Sequence, residues 1–267
     1  MSFDLASITN AKRMRAPRII LLGGPGIGKS ELIAGVDDVV FAPVTREEGI
    51  DDLDVPTFPV LAKFDDGMKV LQTLYEEEHE HKAFALDSSS TFASLVTAQA
   101  LRKENVSKKG DLGGGYGHQF DTILELWQQF MDGCDLLRND RNMTIIIIGH
   151  VTVRGSRVPG VESFDQWAYD IDKKAADALV RWSDCAMFMG RKTVVKKQDG
   201  AFGKEEKQGI DIAGGQRFLF TQETPTHPGK TRGYFGNLPA EIPLPRYNAW
   251  NTFMDAVTVA AKAGTPE

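Results

Sequence analysis

Only two cysteines, Cys134 and Cys185, occur in 267 residues, and neither stands in a CxxC or Cys/His spacing. A disulfide framework and a structural zinc site are therefore not expected. Both thiols fall in apolar segments and read as buried and inert. No run of about 18 apolar residues is present, so no membrane-spanning helix is expected. The opening stretch MSFDLASITNAKRMRAPR has basic side chains but no apolar core, unlike a secretory leader, and a cytoplasmic location is expected. Positive charge is not in excess either: 31 Lys and Arg oppose 37 Asp and Glu, a net charge of −6. That argues against a broad nucleic-acid-coating surface and leaves room for a local basic groove. With 42% hydrophobic and 25% charged residues, the chain has the composition of an ordinary globular protein.

What is present is an alternation of short apolar runs with helical periodicity. Strands are expected at Arg18–Leu22, Val39–Val44, Ala83–Leu86, Thr144–Ile148 and Cys185–Arg191. Helices are expected after the first strand through Leu32 to about Gly35, over Gly67–His79, Phe92–Leu101, Gln119–Arg138 and Asp172–Trp182, and at Phe253–Lys262. Glu104–His118 and residues 151–170 read as polar loops, and short β-hairpins are expected after residue 191. The order implies βαβ units, a mostly parallel sheet and an α/β fold with helices on its faces.

One motif fixes the chemistry. Gly23-Gly24-Pro25-Gly26-Ile27-Gly28-Lys29-Ser30 fits GxxxxGK[ST], with a strand before it and a helix after it. Glycines let backbone N–H groups turn inward around phosphate oxygens, and the helix N-terminus adds partial positive charge there. Lys29 is expected on the β- and γ-phosphates, Ser30 on Mg²⁺, and Glu31 completes the binding segment. The expected ligands are thus ATP and Mg²⁺. A second metal-side acid belongs at the end of a neighbouring strand, and Asp87 in Phe84-Ala-Leu-Asp87 supplies it. Its alternative role is as a cap for the next helix, with Ser88–Ser90 as competing caps.

The residue after Asp87 is Ser88, so a glutamate adjoining the strand-end aspartate is absent. The candidates for polarising the attacking water are Glu47 and Glu48, just past the second strand, with Glu47 preferred. The alternative is a solvated acidic loop. His150 ends the four-isoleucine strand at the edge where parallel sheets bind ligands, and is a candidate γ-phosphate contact or a satisfied core histidine. His79 and His81, in an acidic tract, read as a solvated helix end.

The ordered set GGPGIGKS, REEGIDDLDVPTFP, FALDS, GGGYGHQF, TIIIIGH, KKAADALVRWSDCAMF and GKTRGYFGNLPAEIPLP resembles the RecA-like ATPase core. The chain looks most similar to small phage-encoded ATP-binding proteins related to the short RecA-like single-strand annealing proteins. The resemblance covers residues 17–245, with 1–16 read as a flexible arm and 246–267 as a C-terminal helix and tail. It implies an ATPase of phage DNA recombination, repair or replication, located in the host cytoplasm, that binds single-stranded DNA and works with phage replication or recombination proteins. It also implies head-to-tail assembly into rings or filaments with ATP between subunits. Lys230-Thr-Arg-Gly233 resembles the basic Lys-Asn-Arg-Phe-Gly-type motif of RadA-like relatives, with Thr231 in place of the Asn. By that analogy Lys230 and Arg232 reach the neighbouring subunit's γ-phosphate.

The loops at 105–118 and 152–169 carry Lys108, Lys109, Tyr116, His118, Arg154, Arg157, Phe164 and Trp167. These are residue types that track phosphates and stack on unpaired bases. Asp111, Glu162, Asp165 and Asp170 sit among them, as an ordinary lid would also allow. Two other functions stay open on the residues alone: a nucleotide-dependent adaptor with little turnover, and a small-molecule P-loop kinase.

Overall fold

All six residues of the first apolar run, Arg18–Gly23 (β1), are buried, as a central parallel strand covered on both faces requires. The computed structural model describes residues 15–45, 47, 49–115, 118–156, 163–199, 205–211 and 213–263, with backbone alone for 193–199, 205–211 and 263. After β1 come Lys29–Ala34 (α1), Val39–Pro43 (β2), Phe64–Glu76 (α2), Ala83–Asp87 (β3), Ser89–Glu104 (α3), Gln119–Asp140 (α4), Thr144–Ser156 (β4) and Phe164–Tyr169 (β5). They are followed by Lys173–Trp182 (α5), Cys185–Arg191 (β6), Thr193–Asp199 (β7), Glu205–Asp211 (β8), Arg217–Phe220 (β9), Lys230–Thr231 (β10), Glu241–Leu244 (β11) and Ala249–Ala263 (α6).

The main sheet runs β2–β3–β4–β1–β6–β9–β11. Its first five strands are parallel, and β9 and β11 close one side antiparallel. This is the mixed α/β architecture of a P-loop NTPase core, with a mostly parallel sheet flanked by helices. β7 and β8 pair separately as an antiparallel hairpin.

Period-two side-chain alternation divides the buried residues between two layers. Ile20, Leu22, Phe84, Leu86, Ile145 and Ile147 pack under α2, α3, α4 and α5 with Phe64, Phe92, Trp127 and Phe130. Ile19, Leu21, Phe41, Ala85, Ile146 and Ile148 pack on the other face with Leu32 and Ile33 of α1 and Phe253 and Val257 of α6. Helix α6 therefore contributes to the second core layer. Cys134 and Cys185 are buried and unpaired. Burial raises both thiols, Cys185 to about 12. Among the described residues, no helix is long and apolar enough to cross a membrane.

Three segments differ from the sequence expectation. Residues 151–170, expected as a loop, largely form a hairpin: β4 runs on to Ser156, and Val151–Ser156 pairs antiparallel with β5. Its polar residues alternate along half-exposed strands, which hides the strand signal. The expected loop at 104–118 contains a 3₁₀ turn, Lys109–Gly114, with Leu112 buried. The turn is tied by Lys109 to Asp172 at 2.7 Å and by the Gly113 N–H to the Glu104 carboxylate at 2.6 Å. Helix α2 sits three residues earlier than expected, because Asp66 accepts from the N–H groups of Ala62 and Lys63 (3.0 and 2.9 Å) and Phe64 joins the core. His79 thus lies past the helix end, bonded to the Leu74 carbonyl. Tyr116 and Arg157 lie outside the described residues.

Phe92 is fully buried, with ring centroids 5.8, 5.6 and 4.9 Å from Phe64, Trp127 and Phe130. Phe92→Ala should destabilise the fold by about 3–5 kcal/mol. Urea denaturation will measure this as a lower midpoint at unchanged slope.

Candidate functional site

Parallel pairing brings four strand ends to one edge. Gly23 of β1 stands beside His150 of β4, Ile148 of β4 beside Asp87 of β3, and Asp87 beside Pro43 of β2. The glycine-rich segment, the strand-end acid, the histidine and Glu47 thereby meet although they are far apart in the chain.

The segment from Gly23 to Ser30 links β1 to α1. Gly28 has φ +96°, in the left-handed region, and a Cβ there would collide with the Arg217 guanidinium. Pro25 and Gly26 are exposed, while Gly24 and Ile27 are half-buried. Lys29 is buried and its ammonium bonds the carbonyls of Gly23 (3.1 Å) and Gly24 (2.9 Å). It also lies 3.3 Å from Nδ1 of His150. Burial lowers the Lys29 pKa, opposed by the charges of Asp87 and Glu47.

Ser30 Oγ donates to Asp87 Oδ2 at 2.5 Å. Burial raises the Asp87 pKa and the charge of Glu47 adds to it, against the Ser30 bond and the charge of Lys29. The alternative role of Asp87 as a helix cap is not what the structure has: Ser88 caps α3, accepting from the Thr91 N–H at 3.4 Å. A hydroxyl and a buried carboxylate held together are hard oxygen donors of the kind that suit Mg²⁺. Among the described residues no group of three His, Cys, Asp or Glu side chains could hold a metal by itself. This fits an ion that takes one or two protein oxygens and fills its other positions from phosphate and water.

Glu47 accepts from Ser88 Oγ and Thr91 Oγ1, each at 2.5 Å, and pairs with His150 Nε2 at 3.3 Å. An ammonium has donors only, so His150 Nδ1 accepts from Lys29 and Nε2–H donates to Glu47. The neutral imidazole therefore connects Lys29 to Glu47. Ser90 Oγ fixes the ring's backbone, accepting from the His150 N–H at 2.9 Å. Gly149 just before it is required by space, since a Cβ there would meet Tyr169 and Leu22. Burial would raise the Glu47 pKa, but the bonds from His150, Ser88 and Thr91 outweigh it and lower the pKa to about 2. Glu48, the other candidate base, lies outside the described residues.

Glu31 pairs with Arg217 of β9 at 2.8 Å, and the same guanidinium nitrogen bonds the Ile27 carbonyl of the loop at 3.3 Å. Lys230 and Arg232 stand apart from their own chain's loop. Lys230 and Thr231 pair with Ala186 and Cys185 at the start of β6, whereas the loop leaves the sheet beside Met189. The Lys230 ammonium donates to the carbonyls of Val180, Arg181 and Ser183, each at 2.7 Å, capping the C-terminus of α5. Arg232 bonds Asp184 Oδ1 at 2.7 Å and the Trp182 carbonyl at 3.1 Å.

Sequence reasoning missed two sets of residues. Ser88 registers in the sequence only as a helix-cap type and Thr91 not at all, and their contact with Glu47 depends on how β2 and β3 are paired. Arg217 carried no signal, because nothing in Gly215-Gln-Arg-Phe218 marks a strand lying beside the phosphate loop.

The fold and this edge define a P-loop nucleoside-triphosphatase core. The sequence pattern of the AAA domain family (AAA_24) matches residues 15–233, and the chain belongs to that family of nucleotide-binding domains. No curated protein matches the chain.

The Glu47 network has a pH signature. Its folded pKa of about 2 lies below the ordinary 4.5, so its stabilisation is full above pH 4.5 and fades as pH falls toward 2. The difference in urea midpoint between the wild type and Glu47→Gln should be constant from pH 7 to 5 and shrink by pH 3. A difference independent of pH would contradict the network.

Proposed function

We propose that the protein is a Mg²⁺-dependent ATPase that acts on single-stranded DNA in phage recombination, repair or replication. The observation that carries the hydrolytic reading is the juxtaposition of Lys29, the Ser30–Asp87 pair and the Lys29–His150–Glu47 chain at one sheet edge. The backbone N–H groups of Gly24 and of residues 26–30, with the Lys29 ammonium, hold the phosphate tail. Ser30 and Asp87 hold Mg²⁺, which when bound neutralises phosphate charge and orients the terminal phosphoryl group. Glu47 orients the attacking water, and His150 is the neutral contact between that carboxylate and the lysine beside the γ-phosphate.

The nucleic-acid reading is supported by the β4–β5 hairpin, which begins at Val151, next to His150, and carries Arg154 and a half-exposed Trp167. A base stacked on such an aromatic contributes about 1–3 kcal/mol. The RecA-like reading is supported by the order β6–β1–β4–β3–β2 and by an acid past β2 in place of one after Asp87. Head-to-tail assembly is supported by the position of Lys230 and Arg232 at the sheet end opposite their own loop. A role for them on a neighbour's nucleotide requires exchange of their present bonds to α5 and Asp184.

One observation favours the adaptor reading. A carboxylate with pKa about 2 and three donors is a weak base, as suits a module that loads ATP and turns over little. Two variants separate the readings. Lys29→Ala should weaken ATP binding at least tenfold. Glu47→Gln should bind ATP like the wild type while hydrolysis falls about 10²–10⁴-fold. Single-stranded DNA should stimulate the wild type. If the wild type does not hydrolyse ATP with or without DNA, the adaptor reading replaces the ATPase.

A further inference from the structure

Beside the phosphate loop lies a cleft of about 280 Å³, lined by Glu31, Leu32 and Gly35 of α1 on one side and by Arg217 and residues 246–251 on the other. We infer that this cleft seats the base and ribose of the nucleotide, and that Tyr247 is its stacking residue. The inference rests on the nucleotide reading above and adds where the rest of that molecule goes.

Position comes first. Helix α1 starts in the loop, and Gly35 lies about 9 Å beyond Lys29 along the helix axis. The wall formed by Glu31, Leu32 and Gly35 is therefore within reach of a ligand whose phosphates sit at the N-terminus of α1. The volume lies just below the usual range for small-molecule sites.

Chemistry comes second. Tyr247 is 71% exposed at the cleft, a large aromatic that the core does not use. Arg246 lies over its ring, 5.5 Å from the centroid. The side-chain amides of Asn248 and Asn251 have no hydrogen-bond partner among the described residues, and each offers a donor and an acceptor to a base edge. The wall behind them is closely fitted: a Cβ on Gly35 would collide with Trp250 Cβ.

The two parts of the site are joined by one side chain. Arg217 Nη1 bonds the Ile27 carbonyl at 3.3 Å and Glu31 at 2.8 Å. Its Nη2 bonds the carbonyls of Pro245 and Arg246 at 3.1 and 3.3 Å. A single planar guanidinium thus ties the phosphate loop to the segment bearing Tyr247, fixing the distance between phosphate and base subsites.

The test compares ATP with inorganic tripolyphosphate, each with Mg²⁺, by calorimetric titration. The wild type should bind ATP more tightly than tripolyphosphate. Tyr247→Ala should weaken ATP about tenfold, the size of one lost base stack, and leave tripolyphosphate unchanged. ATP, but not tripolyphosphate, should alter tryptophan fluorescence, and Trp250→Phe should remove that change. Equal wild-type affinity for the two ligands, or an ATP affinity untouched by Tyr247→Ala, would overturn the cleft assignment. Loss of both ligands together in Tyr247→Ala would overturn it too. If Lys29→Ala still loses both ligands, the phosphate site survives that failure. A wild type that binds neither would instead sink the nucleotide reading and the cleft with it.

Discussion

The site depends on one constraint: a lysine ammonium can only donate. Lys29 is buried among carbonyls and faces Nδ1 of His150, so that nitrogen must accept and the opposite ring nitrogen must carry the proton. That proton reaches Glu47, whose oxygen also takes the Ser88 and Thr91 hydroxyls. A cation whose charge burial disfavours and an anion that its donors favour are thus connected through a neutral ring. The arrangement is charge-ordered before any ligand arrives, with the lysine, the ring and the carboxylate held in one hydrogen-bonded chain.

The sheet makes this possible. Five parallel strands end at the same edge, and the β1–β4–β3 register fixes Gly23, His150 and Asp87 within neighbouring rungs. The strands are buried on both faces, in two separate apolar layers, so their register is set by packing on either side. The edge can then carry buried polar groups, because each is bonded to another: Ser30 to Asp87, Ser88 to Glu47, Ser90 to the His150 backbone. At the other end of the sheet, Arg18, Arg138 and Arg232 surround Asp184. That cluster ties β1, α4 and the residue following β10 to the start of β6.

Much of this was legible in the sequence, for identifiable reasons. The β1 and β4 runs are apolar on both faces, and continuous runs of that kind have few readings other than a buried strand. The segment Gly23–Ser30 combines spacing with a strand before and a helix after, so its structure follows from local chemistry. Asp87 was legible because its strand is short and ends in an acid. The β4–β5 hairpin was not, because Thr152, Arg154 and Gln166 alternate with half-exposed apolar residues and mimic a polar loop. Thr91 and Arg217 were invisible for another reason: their partners Glu47 and Glu31 are 44 and 186 residues away in sequence, and only tertiary pairing brings them into contact.

The most direct test is a crystal structure with Mg²⁺ and a non-hydrolysable ATP analogue. The account predicts that the Lys29 ammonium leaves the Gly23 and Gly24 carbonyls for phosphate oxygens. It also predicts a metal ion between Ser30 Oγ and the Asp87 carboxylate, with their direct 2.5 Å bond broken. An analogue bound elsewhere, with that bond and both lysine contacts intact, would contradict it.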